Sequence, residues 1–235
     1  MKIKAVLFDL DGTLLPMDQD LFIKSYFKGI GKKLAGYGYE SEKIVHTIWA
    51  STMAMLKNDG TTSNEELFWK TAQEICEKNI RADEPYFNAF YEENFDELKS
   101  TCGYTPKAKQ VVDILQKKGY TLALATNPVF PRIATHKRIG WAGLDKSQFA
   151  LVTTYENSRY CKPNPAYYLD IVKELGVQPT ECLMVGNDVR EDMIAESLGM
   201  KVFLLTDCLI NRDGKDISLY PNGNFDDLLA LVENL

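Results

Sequence analysis

From Pro106 onward the chain repeats one device: a segment of helical apolar periodicity, a glycine stop, then a short run of buried-type residues. Strands alternating with helices imply βαβ units and a parallel sheet. Thr105 is placed to cap a helix, with Pro106 at its first position, Val111, Val112, Ile114 and Leu115 as its apolar stripe and Gly119 as its stop. "YTLALAT" reads as a strand ending at Thr126, "NPVFPRIATHKRIG" contains a short helix, and "FALVTT" reads as a strand. "NPAYYLDIVKELG" then opens on Asn-Pro and stops at Gly176. "ECLMVG" is a strand, "DVREDMIAESLG" a helix, "KVFLLT" a strand and "FDDLLALVENL" a closing helix. Near the N-terminus, "IKAVLF" is the natural first strand of the same sheet.

Residues 17–100 break this rhythm, reading as helix after helix. Phe22, Tyr26, Ile30 and Leu34 recur at every fourth residue, and Ile44, Val45, Ile48, Trp49 and Leu56 form a second apolar face. Ser63 with Glu66 makes a capping box before "LFWKTAQEICEKNI", and "PYFNAFYEENFDEL" is a fourth, aromatic-rich helix. The expected organisation is an α/β core from residues 1–16 and 101–235, with an all-helical domain, 17–100, inserted after the first strand.

With 235 residues, 45% hydrophobic, the chain can bury a sizeable core, and a net charge of -6 argues against an extended nucleic-acid or anionic-membrane surface. No apolar run approaches membrane-spanning length. Five cysteines (76, 102, 161, 182 and 208) include no CxxC pair, which fits reduced, mostly buried thiols in a cytoplasmic protein.

Ligands of open parallel sheets bind beyond the carboxyl ends of the strands. This sequence places Asp9, Asp11, Gly12 and Thr13 there after the first strand, Thr126 and Asn127 after "YTLALA", and Asn187 and Asp188 after "ECLMVG". Asp192 follows one helical turn later, and Lys162 precedes a helix in "YCKPNP". Clustered carboxylates raise one another's pKa unless a cation lies between them, and an oxygen-only set suits Mg2+. A lysine, a threonine hydroxyl and free N–H groups beside it suit a phosphate. The set therefore reads as a metal-assisted phosphoryl site with Asp9 as the attacking group.

Each signal also has a structural reading. Asp188 with Glu191 can serve as a helix capping box, Thr126-Asn127-Pro128 as a plain turn and Lys162 as a solvated lysine. Asp9-x-Asp11 resists that treatment, because two acids ending a buried strand are costly without partners. An EF-hand is excluded, since Leu14 occupies its glycine position and Asp20 its terminal glutamate. "GIGKKLAG" matches neither GxGxxG nor a Walker motif, and His46 and His136 are too scattered for a metal cluster. Trp49, Trp69 and Trp141 are expected in the core, as are Tyr26, Phe27, Tyr37 and Tyr39 rather than against a ring-bearing substrate.

"FDLDGT", Thr126-Asn127, "KPNP" (Lys162 to Pro165) and "GNDVRED" (Gly186 to Asp192) together resemble, in order, the four motifs of the haloacid dehalogenase-like hydrolases. The resemblance implies a Rossmann-like core with a mobile, type-one helical cap. It implies Asp9 as nucleophile forming an aspartyl-phosphate, Asp11 as acid and then base, and Mg2+ held by Asp9, the main-chain carbonyl of Asp11 and Asp188. Asp192 would be a water-mediated or outer ligand, with Thr126, Lys162 and, more weakly, Asn127 holding the phosphoryl oxygens. Asp11 favours a phosphatase over a dehalogenase, which needs no acid there. A sugar-phosphate mutase and a non-catalytic phosphate binder are the alternatives. The implied partner is a small phosphorylated metabolite, with no nucleic acid or membrane, and a monomer is plausible. "LLPMD" departs from the many relatives that carry Asp followed by Ser or Thr after the first motif.

Overall fold

The computed structural model describes residues 2–235. Six parallel strands form one sheet in the order β3-β2-β1-β4-β5-β6. They are β1 (Ala5–Phe8), β2 (Thr121–Leu124), β3 (Leu151–Val152), β4 (Cys182–Gly186), β5 (Lys201–Leu205) and β6 (Asn222–Gly223). The central β1 is buried along its whole length. Its side chains alternate between two apolar layers: Val6 and Phe8 join the layer of Val111, Leu115 and Leu228, while Ala5 and Leu7 join that of Tyr168, Ile171 and Val172. This two-sided burial explains why the strand is a continuous apolar run rather than an alternating one.

Four helices lie between β1 and the second strand's unit: α1 (Gln19–Ala35), α2 (Ser41–Met55), α3 (Asn64–Cys76) and α4 (Glu84–Glu93). The Ser63–Glu66 capping box forms as expected at the start of α3. The chain leaves and re-enters the core at adjacent points. Met17 and Cys102 form an antiparallel bridge, and the Gly103 N–H donates to the Pro16 carbonyl at 2.7 Å. An aromatic cluster continues from this insertion into the core: Phe22 and Tyr26 of α1 pack edge-on against Phe130, and Phe95 stacks on Trp141.

The remaining helices are α5 (Pro106–Lys117), α6 (Arg132–Trp141), α7 (Pro165–Leu175) and α8 (Phe225–Glu233). Thr105 caps α5, and Gly176 ends α7 at φ 67°, in the left-handed region.

Two expectations are corrected, and one strand was unforeseen. "DVREDMIAESLG" is not an α-helix: its first half is a turn and Met193–Leu198 is a 3-10 segment. Within that turn the Asp192 carboxylate folds back to accept the Asp188 N–H at 2.9 Å. Trp49 is 48% exposed rather than core, unlike Trp69 and Trp141, and Tyr37 lies outside too, stacked on Tyr86. The two-residue edge strand β6 carries no apolar run, and only its ladder with β5 reveals it.

Candidate active site

β1 and β4 run side by side in register, so the loops that follow them emerge together. Asp9, the first residue past β1, is 7% exposed and gives its N–H to the Val185 carbonyl at 2.9 Å. Its Oδ1 accepts from the Lys162 ammonium at 2.8 Å, and its Oδ2 from the Thr13 hydroxyl at 3.1 Å. The same hydroxyl lies 3.0 Å from Asn187 Oδ1, tying the first loop to the loop after β4. Gly12 is held at φ +85°, and a Cβ there would run into the Asn187 amide. Only glycine permits that approach.

Lys162 is completely enclosed and bridges two acids, Asp9 and, at 2.7 Å, Asp192. Burial, the largest influence on its amine, opposes the charge, but Asp192 and Asp9 outweigh it and hold the pKa well above the ordinary range. Asp192 has both oxygens engaged, by Lys162 and by the Asp188 N–H. Gly186, just before, leaves room for it, since a Cβ there would overlap the Asp192 carboxylate. Asp188 is half-buried, and its Oδ1 accepts the N–H groups of Arg190 and Glu191. That is half of the expected capping box. The Glu191 side chain instead accepts from Asn127 Nδ2 at 3.0 Å, and burial pushes its pKa up to about 7.

Thr126 is buried at the end of β2, where its carbonyl accepts from Thr153 and Tyr167 hydroxyls at 2.7 and 2.8 Å. These anchors fix the backbone and leave the threonine side chain without a hydrogen bond to the described residues. The expected residues thus gather at the carboxyl edge of β1, β2 and β4, with one turned aside. The Asp11 side chain reaches away to the guanidinium of Arg138, while its main-chain carbonyl accepts from Gln19 Nε2 at 3.4 Å. Burial pushes the Asp11 carboxyl above the usual carboxylate range, against the lowering pull of Arg138.

A sequence profile of the haloacid dehalogenase-like hydrolases matches residues 3–196, most of the chain. The chain belongs to that family. Pyrophosphatase PpaX of Bacillus velezensis is 26% identical to this hydrolase over 85% of the chain and 82% of the relative. Phosphoglycolate phosphatase of Haemophilus influenzae is 26% identical over 86% of the chain and 85% of its own length. Among solved structures, a HAD phosphatase from Thermococcus onnurineus superposes at TM-score 0.60 with 21% identity, covering 98% of both chains. A 2-haloacid dehalogenase from Pseudomonas syringae reaches TM-score 0.61 with 19% identity, over 99% of this chain and 98% of the other. The last two establish the fold, which phosphatases and dehalogenases share.

The oxygen donors of this hydrolase suit a hard divalent cation. Asp188 Oδ2 has no hydrogen-bond partner among the described residues, and Asp9 and the Asp11 carbonyl lie in the loop beside it. Among the described residues no three His, Cys, Asp or Glu side chains gather as a metal-holding group. Mg2+ needs no such cage, since it takes one or two carboxylates and keeps several waters. Sequence reasoning did not single out Arg138, nor Glu191 as a partner of Asn127. Arg138 sits among the helical residues of "RIATHKRIG" and carries no local mark of a partner 127 residues away. One clue was present: an acid at a strand end, costly if unpaired, requires a cation from somewhere.

Proposed function

We propose that this hydrolase is a Mg2+-dependent phosphatase of a small phosphorylated metabolite, acting through an aspartyl-phosphate on Asp9. The observation that carries the reading is the Lys162 ammonium held between Asp9 and Asp192. It sets a positive charge against a strand-end carboxylate, where a phosphoryl group needs both a nucleophile and a counter-charge. The acid at Asp11 favours a phosphoryl substrate over a halogenated one, since a departing halide needs no proton. The relatives named pyrophosphatase and phosphoglycolate phosphatase support small phosphorylated compounds as the substrate class.

In this reading an Asp9 carboxylate oxygen attacks phosphorus, and the P–O bond to the leaving group breaks as Asp11 gives that oxygen its proton. Asp11 then takes a proton from a water that attacks the acyl phosphate, releasing inorganic phosphate and restoring Asp9. Lys162 and Thr126 hold the phosphoryl oxygens, with Asn127 beside them. Mg2+, held by Asp9, the Asp11 carbonyl and Asp188, would offset the charge that gathers between carboxylate and phosphate. Asp192 serves from behind, aligning Lys162 and the Asp188 loop. Helices α1 to α4 form the cap that selects the leaving group. No helix among the described residues is long and apolar enough to cross a membrane.

A screen of phosphorylated metabolites for released phosphate tests the proposal directly. Turnover that EDTA stops and Mg2+ restores, and that Asp9→Asn reduces to background in a folded protein, is the expected result. Hydrolysis unaffected by either change rejects it. Exchange of phosphate between isomers without release would identify a mutase instead.

A further inference from the structure

The chain crossing into α1 and the loop that follows β5 face each other across a cleft of about 620 Å3, within the size range of small-molecule sites. Gln19 and Asp20 stand on its insertion side, and Leu209, Ile210 and Arg212 on its core side. Both walls are tied to the catalytic loops. Gln19 Nε2 donates to the Asp11 carbonyl at 3.4 Å. On the other side the Ile210 N–H donates to the Asn187 carbonyl at 2.8 Å, and the Ile210 carbonyl accepts from the Val189 N–H at 2.9 Å, which bridges Ile210 to Asp188. The cleft is thus bounded by the neighbours of the Asp11 carbonyl and of Asp188, two of the three groups proposed to hold the cation.

The charge of this cleft is divided between its walls. Asp20 has no hydrogen-bond or ion-pair partner among the described residues, and Asp18 beside it is spent on capping α1, accepting the Leu21 N–H at 3.0 Å. Arg81, Arg138 and Arg159 each pair with a carboxylate, whereas the exposed Arg212 pairs with none among the described residues. The backbone under Arg212 is nonetheless braced. Asn211 Nδ2 donates to the Lys215 carbonyl at 2.8 Å and Asn211 Oδ1 accepts the Lys215 N–H at 3.0 Å, closing residues 211–215 into a clasp. An unpaired guanidinium on a braced loop, lining a cleft beside the phosphoryl site, suits a ligand that brings its own carboxylate or phosphate. We infer that this cleft receives the leaving group and that Arg212 is the specificity-determining residue, gripping a second anionic group, a carboxylate or a phosphate, on that leaving group. The assignment rests on the phosphatase reading above. A cationic leaving group would favour the Asp20 wall instead, and a direct latch between Asp20 and Arg212 would need no ligand.

Three esters of nearly equal size separate these cases: phosphoglycolate, 2-hydroxyethyl phosphate and phosphoethanolamine carry an anionic, a neutral and a cationic tail. The native enzyme is expected to show its highest kcat/KM on phosphoglycolate and its lowest on phosphoethanolamine. Arg212→Gln should lower kcat/KM for phosphoglycolate on the order of 10- to 100-fold, chiefly through KM, and for 2-hydroxyethyl phosphate by less than about threefold. Asp20→Asn should keep the preference for the anionic ester or sharpen it, since it removes a charge of the wrong sign. If the native enzyme spares all three but cleaves a larger metabolite with a second anion, the same comparison is made on that metabolite and its analogue lacking the anion. A preference for phosphoethanolamine, equal losses on the anionic and neutral esters in Arg212→Gln, or a loss in Asp20→Asn that matches it overturns the assignment. So does turnover confined to substrates whose leaving group has no second anion, a result that leaves the phosphatase reading standing. A native protein that releases phosphate from no ester and no metabolite brings that reading down, and this inference with it.

Discussion

At the scale of single residues, the Lys162 bridge dominates. One ammonium satisfies two buried acids, and its removal leaves both without a counter-charge. Lys162→Met is expected to cost about 3–5 kcal/mol of stability, read from urea denaturation, as well as the activity. A loss under 1 kcal/mol would mean that the acids find water or each other more cheaply than the geometry implies. The cysteines offer a milder test. All five are free, with Cys161 and Cys182 buried and Cys76, Cys102 and Cys208 partly exposed. Burial pushes the Cys161 thiol up to about 12 and the Cys182 thiol up to about 11, so both are protonated and inert near neutral pH. Disulfide-exchange reagents should label the other three in the native protein and these two only after unfolding. Rapid native labelling of Cys161 would contradict the packing around it.

At the scale of elements, Asn64 at the start of α3 is fully buried and joins the inserted helices to the core. Its amide donates to the Pro128 carbonyl at 3.1 Å and to Cys161 Sγ at 3.3 Å, and its oxygen accepts from Asn58 at 2.8 Å. Asn64→Ala orphans those groups and should cost about 2–3 kcal/mol, measured by chemical denaturation. An unchanged midpoint would show that α3 does not depend on this joint. The elements that could be read in advance were those whose signal is local. The caps at Thr105 and Ser63 and the stop at Gly176 each need only a few neighbouring residues, and each forms as expected. Residues 188–192 misled because Asp188 does cap the turn it opens, accepting the N–H groups of Arg190 and Glu191, yet that turn passes into a 3-10 segment at Met193–Leu198 instead of an α-helix. The β6 strand and Arg138 escaped for the opposite reason: their meaning comes from partners distant in sequence. The strand-end acids were legible because placing charge beside a buried strand already demands an explanation.

For the molecule as a whole, the proposed cation gives a reading independent of turnover. Ions that bind only the folded state raise its stability by mass action, about 2.7 kcal/mol at a hundred times the dissociation constant. Millimolar Mg2+ should therefore raise the melting temperature, and Asp188→Asn should abolish the rise. An equal rise in that variant would place the ion elsewhere. The two chain crossings at Pro16–Met17 and Cys102–Gly103 run side by side, so the chain enters and leaves the inserted helices at one place. Exchanging these helices for others would therefore mean matching two peptide joints, the Asn64 dock and the aromatic contacts of Phe22, Tyr26 and Phe95, while the register of β1 against β4 is left alone.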